Sequence, residues 1–304
     1  MKMIIAETIK DVRQQVRTWH REGLTVGLVP TMGALHEGHA SLVDAAAGSC
    51  DRVVASVFVN PTQFAKGEDL ESYPRDFERD CRILEEHGCD MVFHPSVEEM
   101  YPDGFAAVVD IESDMTKQLC GKSRATHFKG VCTVVSKLFN IVGADRAYFG
   151  EKDAQQLAVI KKMVKDLDMD IEIVGCPTVR EADGLARSSR NTYLNEEERT
   201  AAGVIYKAIV AAEQMIEGAG GVAAAAAKAA SIVGTQVPGI EIPAEAVLKL
   251  MYKIIDEEPL ADIEYIEAVD GLTLMPVDRI TSGTLIAIAV HIGNTRLIDN
   301  FTVK

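Results

Sequence analysis

From its amino end the chain alternates between two spacings of apolar residues. Ile9, Val12, Val16 and Trp19 recur at helical intervals, which puts them on one face. Thr8 stands where an N-cap belongs and Gly23 where a helix C-terminus turns left-handed, so the spacing predicts a helix over residues 9–22. Short apolar, β-prone runs then follow at 24–29, 52–59, 91–93, 147–149 and 171–174. Helical patterns separate them at 40–47, 76–87, 131–142 and 155–166. Strands that are apolar on both faces and separated by helices imply an α/β class with a parallel sheet covered on both sides. In such sheets ligands bind beyond the carboxyl ends of the strands. Three segments, 32–39, 60–63 and 150–153, each follow a predicted strand directly and are expected to point into one crevice.

After about residue 177 the pattern changes, which predicts a first domain over 1–177 and a smaller α/β domain over 178–304. A helical region runs over 196–233, interrupted by Gly218, Gly220 and Gly221. Its alanine run at 223–230 has high helix propensity but little to pack, and reads as a solvent-flanked helix. A second helical pattern covers 244–256, and strands are predicted at 263–269 and 284–290.

Composition narrows the function classes. At 304 residues the chain can bury one or two cores. A formal net charge of −15 argues against a nucleic-acid partner, which needs a basic face, but leaves room for one small anionic ligand. Arg124, Lys129, Lys152, Arg180, Arg187 and Arg190 lie near the glycine-containing segments as a candidate local cluster of positive charge. No apolar run reaches membrane-spanning length, and residues 1–10 lack a signal-peptide core. The six cysteines have no metal-ligand spacing and read as buried free thiols of a reducing cytoplasm.

The segment Met32-Gly33-Ala34-Leu35-His36-Glu37-Gly38-His39 carries the sharpest chemistry. At a strand-to-helix junction, unpaired N–H groups and the helix dipole favour phosphate. Glycines allow close approach, and His36 and His39 add donors at an α-phosphate. A metal site is the weaker alternative, since no third ligand stands nearby at a recognisable spacing. In Gly150-Glu151-Lys152-Asp153, Lys152 can neutralise phosphate oxygens, and Asp153 can orient Lys152 or hold a ribose hydroxyl. Gln156, one turn later, suits a substrate hydroxyl or carboxylate; a solvated helix start is the bland alternative. The stretch from Val179 to Asn191 contains Arg187, Ser188, Ser189 and Arg190, a set able to grip a triphosphate. An ordinary surface loop with a helix cap at Asn191 or Asn195 competes with that view. Asn60 and Gln63 offer uncharged amides, and the polar stretch 63–75 suits a mobile lid. Two glutamines, Asn60 and the apolar Val131, Val134 and Val135 fit a small branched hydroxy acid.

Taken together, residues 30–39, 56–64, 73–75, 124–131, 149–157, 179–194 and 295–300 resemble the pantoate–β-alanine ligases, a branch of the His-x-Gly-His nucleotidyltransferases. The resemblance runs over nearly the full length and is weaker in the alanine-rich region. It implies a Rossmann-like doubly wound domain, a smaller C-terminal domain closing over the ATP site, and a homodimer. It implies ATP, (R)-pantoate and β-alanine as substrates, with pantothenate, AMP and pyrophosphate as products and Mg²⁺ as cofactor. Carried onto this chain, residues 32–39, Gly150, Glu151, Lys152, Asp153, Val179, Arg187, Ser188, Ser189 and Arg190 would bind ATP. His39, His36 and Lys152 would be catalytic. Gln63, Gln156 and Asn60 would bind pantoate, with Gln63 also facing β-alanine, and Asp80 matches an acidic position near the metal. One departure stands out: Arg187 occupies the place before Ser-Ser-Arg where the family carries Leu or Met. Two rivals share the motif: an adenylyltransferase that stops at a nucleotide product, and a non-catalytic nucleotide sensor.

Overall fold

The computed structural model describes residues 2–65, 67–233 and 242–304, with backbone alone over 220–233. The side chains of the alanine run at 223–230, and Lys66 within the stretch read as a lid, lie outside what is described. The chain divides into two units, Met1–Val179 with Arg187–Ser189, and Arg180–Ala186 with Arg190–Lys304.

The first unit is a six-stranded parallel sheet. In chain order its strands are β1 (Ile4–Ala6), β2 (Val26–Thr31), β3 (Arg52–Val57), β4 (Met91–Phe93), β5 (Arg146–Gly150) and β6 (Glu172–Cys176). Across the sheet the order is β1-β4-β3-β2-β5-β6, every neighbouring pair parallel. Its helices are α1 (Ile9–Arg21), α2 (Glu37–Ala47), α3 (Phe77–Glu86), α4 (Val97–Met100), α5 (Cys120–Ser123), α6 (His127–Val142) and α7 (Ala154–Asp166). Leu42, Val43 and Ala46 of α2 and Leu84 of α3 share one core with Val29, Val53, Ala55, Val92 and Tyr148 of the strands. Thr8 caps α1 through the Asp11 amide, Val12, Val16 and Trp19 form its buried face, and Gly23 takes φ 77° beyond its end.

From β2 the chain builds outward through β3 and β4, then returns to add β5 on the other side. The order therefore reverses between β2 and β5. In an open parallel sheet that reversal opens a crevice at the carboxyl ends, where ligands bind. The two segments leaving it are 32–39 and 150–153.

The second unit holds α8 (Glu196–Ala201), α9 (Gly203–Val233) and α10 (Ala244–Asp256). Its strands are β7 (Ile242–Pro243), β8 (Ala261–Asp270), β9 (Arg279–Ile280), β10 (Thr284–Ile292) and β11 (Thr295–Thr302). β11-β10-β8 is an antiparallel sheet, and β7 pairs with β9. Asn195 caps α8 with Glu198 in a capping box. The expected glycine interruptions do not occur: α9 continues through Gly218, Gly220 and Gly221, because a helix tolerates glycine at a cost of about 1 kcal/mol each when its neighbours favour helix. No described helix is long and apolar enough to cross a membrane. All six cysteines are free, four of them buried.

Candidate active site

The loop after β2 is held by side chains around it. Thr31 donates to the Ser56 carbonyl (2.6 Å) and accepts from the Gly33 amide (3.2 Å). Gly33 and Ala34 follow with φ of 87° and 51°, two successive left-handed residues. That conformation is costly for Ala34 and needs outside support. The support is Asp80 of α3, 1% exposed: its Oδ2 accepts from the Ala34 amide (3.0 Å) and its Oδ1 from the Leu35 amide (2.7 Å). A Cβ on Gly33 would lie 2.9 Å from Asp80 Oδ2, so only glycine fits beside the carboxylate.

Two imidazoles then open α2. His36 is its N-cap, and His36 Nδ1 accepts from the Gly38 amide at 3.1 Å. His39 stands three residues on, and its Nδ1 accepts from the His36 amide at 3.3 Å. The pair forms a capping box in which ring nitrogens replace the usual oxygens. A backbone N–H can only donate, so both Nδ1 atoms must be unprotonated. Each ring's proton is then on Nε2, and each presents one N–H donor. The rings lie 4.1 Å apart, and a Cβ on Gly38 would come 2.9 Å from the His36 ring.

Charge state agrees with this tautomer. Burial, reinforced by the Lys152 ammonium, brings the His36 pKa down to about 4. Burial, then His36 and Lys152, hold His39 well below its ordinary value. Lys152 therefore stands close enough to act on both rings, although it follows β5 and they follow β2. His127 of α6 is also brought down to about 4, by burial and then by Arg124. These shifts fix a stability profile. Between 6.5 and about 4 the unfolded chain binds a proton at His36 and at His127 that the folded chain refuses. Stability should therefore rise with pH through that window, each histidine adding a slope of roughly 1 kcal/mol per pH unit. Urea midpoints and the histidine Cε1–H resonances check this: His36 and His127 should still be neutral at pH 5.

Residues 187–189 lie with the first unit, beside the histidine loop. The Arg187 amide donates to the Val179 carbonyl (2.9 Å), its guanidinium stands 3.3 Å from Glu37, and Ser189 Oγ donates to the Ala34 carbonyl (3.0 Å). Arg190 belongs to the second unit.

The segment after β3 is a short 3₁₀ turn, Pro61–Gln63, capped by Asn60. Asn60 and Gln63 are buried, 1% and 9% exposed. Asn60 Nδ2 donates to Gln63 Oε1 (3.0 Å) and to the Gly130 carbonyl (3.3 Å), and Gln63 Nε2 lies 3.0 Å from Met32 Sδ. Gly130 of α6 permits this contact: a Cβ there would fall 2.3 Å from the Thr62 carbonyl oxygen. Arg124 forks onto Glu68 with two 2.6 Å bonds, and His127 Nδ1 donates to the Gln63 carbonyl at 2.9 Å. Gln156 is half-buried; its neighbour Gln155 is buried and spent on the Cys120 amide and the Met115 and Gln118 carbonyls. Val131, Val134 and Val135 are buried along α6.

Five of the six residues of the candidate positive cluster have a carboxylate neighbour. Arg124, Lys129, Lys152, Arg180 and Arg187 each stand within 4.0 Å of a carboxylate, on Glu68, Asp110, Asp153, Asp299 and Glu37 respectively. Asp80, matched to a metal-adjacent position, has both oxygens turned to amides. Among the described residues no group of three His, Cys, Asp or Glu is placed to hold a metal ion. Sequence reasoning also passed over Tyr101, whose hydroxyl donates to Asn60 Oδ1 (2.7 Å), and His127. Only the glycine early in α6, unusual in a helix, hinted that something packs closely there.

Comparison with known proteins gives the family. The family model for pantoate–β-alanine ligase matches residues 4–302. The pantothenate synthetase of Ruminiclostridium cellulolyticum is 54% identical over 97% of each chain, and that of Enterococcus faecalis 52% over 99% of each. A crystal structure of pantothenate synthetase from Thermus thermophilus aligns with a TM-score of 0.84 at 41% identity, covering 99% of each chain. The pantoate–β-alanine ligase of Francisella tularensis, complexed with beta-gamma ATP and beta-alanine, aligns at 0.76 with 33% identity, covering 99% of this chain and 97% of that one. Over nearly its whole length, then, this chain belongs to the pantoate–β-alanine ligase family.

Proposed function

We propose that this protein condenses (R)-pantoate with β-alanine at the expense of ATP, giving pantothenate, AMP and pyrophosphate through a pantoyl adenylate. One observation carries the reading: the His36 and His39 rings, 4.1 Å apart after β2, and Lys152 after β5, whose charge acts on both, stand at the two strand ends where the sheet order reverses. A carboxylate is a poor acyl donor because oxide would have to leave. Transfer of AMP onto it supplies a good leaving group. The pantoate carboxylate attacks the α-phosphorus in line and pyrophosphate departs. The Nε2–H groups of His36 and His39 and the Lys152 ammonium take up the charge that grows on the phosphoryl oxygens. The β-alanine amine then attacks the acyl carbon and AMP leaves. The protein supplies positioning and fixed donors, and no enzyme nucleophile is required.

In this reading residues 32–39, 150–153, Val179 and 187–189 meet ATP, and Asn60, Gln63 and Gln156 meet pantoate, with Gln63 also beside β-alanine. Mg²⁺ would accompany the nucleotide phosphates, and Asp80, whose oxygens each accept from a loop amide, would act by holding the loop. A cytoplasmic homodimer belongs to the same reading and rests on the family resemblance. The test is isotope exchange. With ATP and pantoate but no β-alanine, labelled pyrophosphate should enter ATP, and exchange should require pantoate. Absence of exchange, with pantothenate still formed when β-alanine is added, would exclude a free adenylate step.

A further inference from the structure

A glutamine side chain is two-faced: one end donates, the other accepts, and a half turn exchanges them. Which face Gln63 shows decides what it can bind. The decision is made by backbone groups that act on it through Asn60. The Thr62 amide can only donate, so the Asn60 atom 3.4 Å from it is Oδ1. The Gly130 carbonyl can only accept, so the Asn60 atom 3.3 Å from it is Nδ2. The hydroxyls of Tyr101 (2.7 Å) and Thr62 (2.9 Å) also give their protons to Oδ1. Flipping Asn60 would set N–H against N–H and oxygen against oxygen in a side chain that is 1% exposed. The remaining Nδ2 hydrogen goes to Gln63 Oε1 at 3.0 Å. Gln63 must therefore turn its NH₂ the other way, toward Met32 Sδ at 3.0 Å. A thioether is a weak acceptor, so a substrate oxygen is the better partner for that group.

We propose that Asn60 is a positioning residue which, held one way round by the Thr62 amide and the Gly130 carbonyl and braced by the Tyr101 hydroxyl, locks the polarity of Gln63, so that Gln63 presents its NH₂ and selects an oxygen acceptor on the substrate. The inference rests on the reading that Gln63 meets the hydroxy acid. It adds a specificity: a carboxylate or hydroxyl oxygen is received there, and an ammonium group is turned away. Tyr101 suits the bracing role because its ring is fixed between Phe58 and Phe105, with centroids 6.1 Å and 5.0 Å away, so its hydroxyl has little freedom.

The test uses Asn60→Asp, which keeps the shape and replaces the Nδ2 donor to Gln63 by an acceptor, with Tyr101→Phe as a second variant weakening the hold on Oδ1. In full-length protein the Gln63 side-chain amide cross-peaks in a ¹⁵N–¹H spectrum should shift or double in each variant. The KM for pantoate should rise roughly 3- to 10-fold, the worth of one neutral hydrogen bond, with the KM for ATP unchanged. Gln63→Glu, which removes the donor, should raise pantoate KM more than Gln63→Met. Unmoved Gln63 cross-peaks in both variants would overturn the relay whatever the kinetics do. Gln63→Ala tests the underlying reading separately: an unchanged pantoate KM would remove pantoate from this residue and leave the relay to be decided by the cross-peaks alone.

Discussion

Replacing His39 with alanine should lower kcat by roughly 10²–10³-fold, the cost of one preorganised donor to a developing oxyanion, while the KM for ATP changes little. The expectation follows from the charge state. His39 is half-buried, its pKa is held well below the ordinary value, and its Nδ1 is occupied by the His36 amide, so its one ring proton is on Nε2. A neutral donor gives little to the ground state of a solvated triphosphate. It gives more when the α-phosphorus becomes five-coordinate and its oxygens gain charge inside a dry crevice. Loss of Nδ1 also removes part of the α2 cap, worth about 1 kcal/mol. That loss is a stability effect, read in the unfolding midpoint and not in kcat. His36→Ala should show the larger share of it, since His36 is the N-cap itself. Because both rings stay neutral, the acid limb of the kcat profile should fall well below pH 6.5. Turnover by folded His39→Ala close to that of the unsubstituted enzyme would remove the ring from the chemistry.

Much of this arrangement could be read from the chain because burial on two faces writes itself as apolar runs. Five strands of the parallel sheet were marked that way. The sixth, β1, has only three residues at the sheet edge, with Ile4 and Ile5 exposed, and pairing with β4 makes it a strand. β11 was hidden for the opposite reason. Thr295, Asp299 and Asn300 are polar yet buried, and Asp299 is tolerated because Arg180 forks onto it at 2.6 and 3.1 Å. These polar positions interrupt the apolar run by which a buried strand is recognised. Helix starts were read late where the caps were unusual. α2 begins at Glu37 because imidazoles cap it, and α6 begins at His127 although Gly130 looks like a breaker. In the site, the residues whose chemistry is local stood out: His36, His39, Lys152, Asn60 and Gln63. Those that act by holding others, Asp80 and Tyr101, come from distant segments and leave no local signature.

Asp80 gives the second large effect. Asp80→Ala should lower kcat/KM for ATP by roughly 2–4 kcal/mol, because it strands two buried amides and frees a loop whose placement sets both imidazoles. By accepting from the Ala34 and Leu35 amides, the buried Asp80 carboxylate supports the left-handed pair of residues at 33–34. Burial raises the Asp80 pKa, and those two amides work against the rise. Asp80→Asn keeps one acceptor and turns an NH₂ toward the other amide, so it should fall between alanine and the unsubstituted enzyme. The measurement that separates this role from metal binding is kcat/KM as a function of free Mg²⁺. If the carboxylate positions the loop, the ratio of variant to unsubstituted enzyme stays flat as Mg²⁺ rises. A metal ligand would behave otherwise: its loss weakens Mg²⁺ binding, and saturating ion would close the gap. The unfolding midpoint should drop as well, since strain at Ala34 is no longer opposed. A Mg²⁺-rescued Asp80→Ala with an unchanged midpoint would return this residue to the metal.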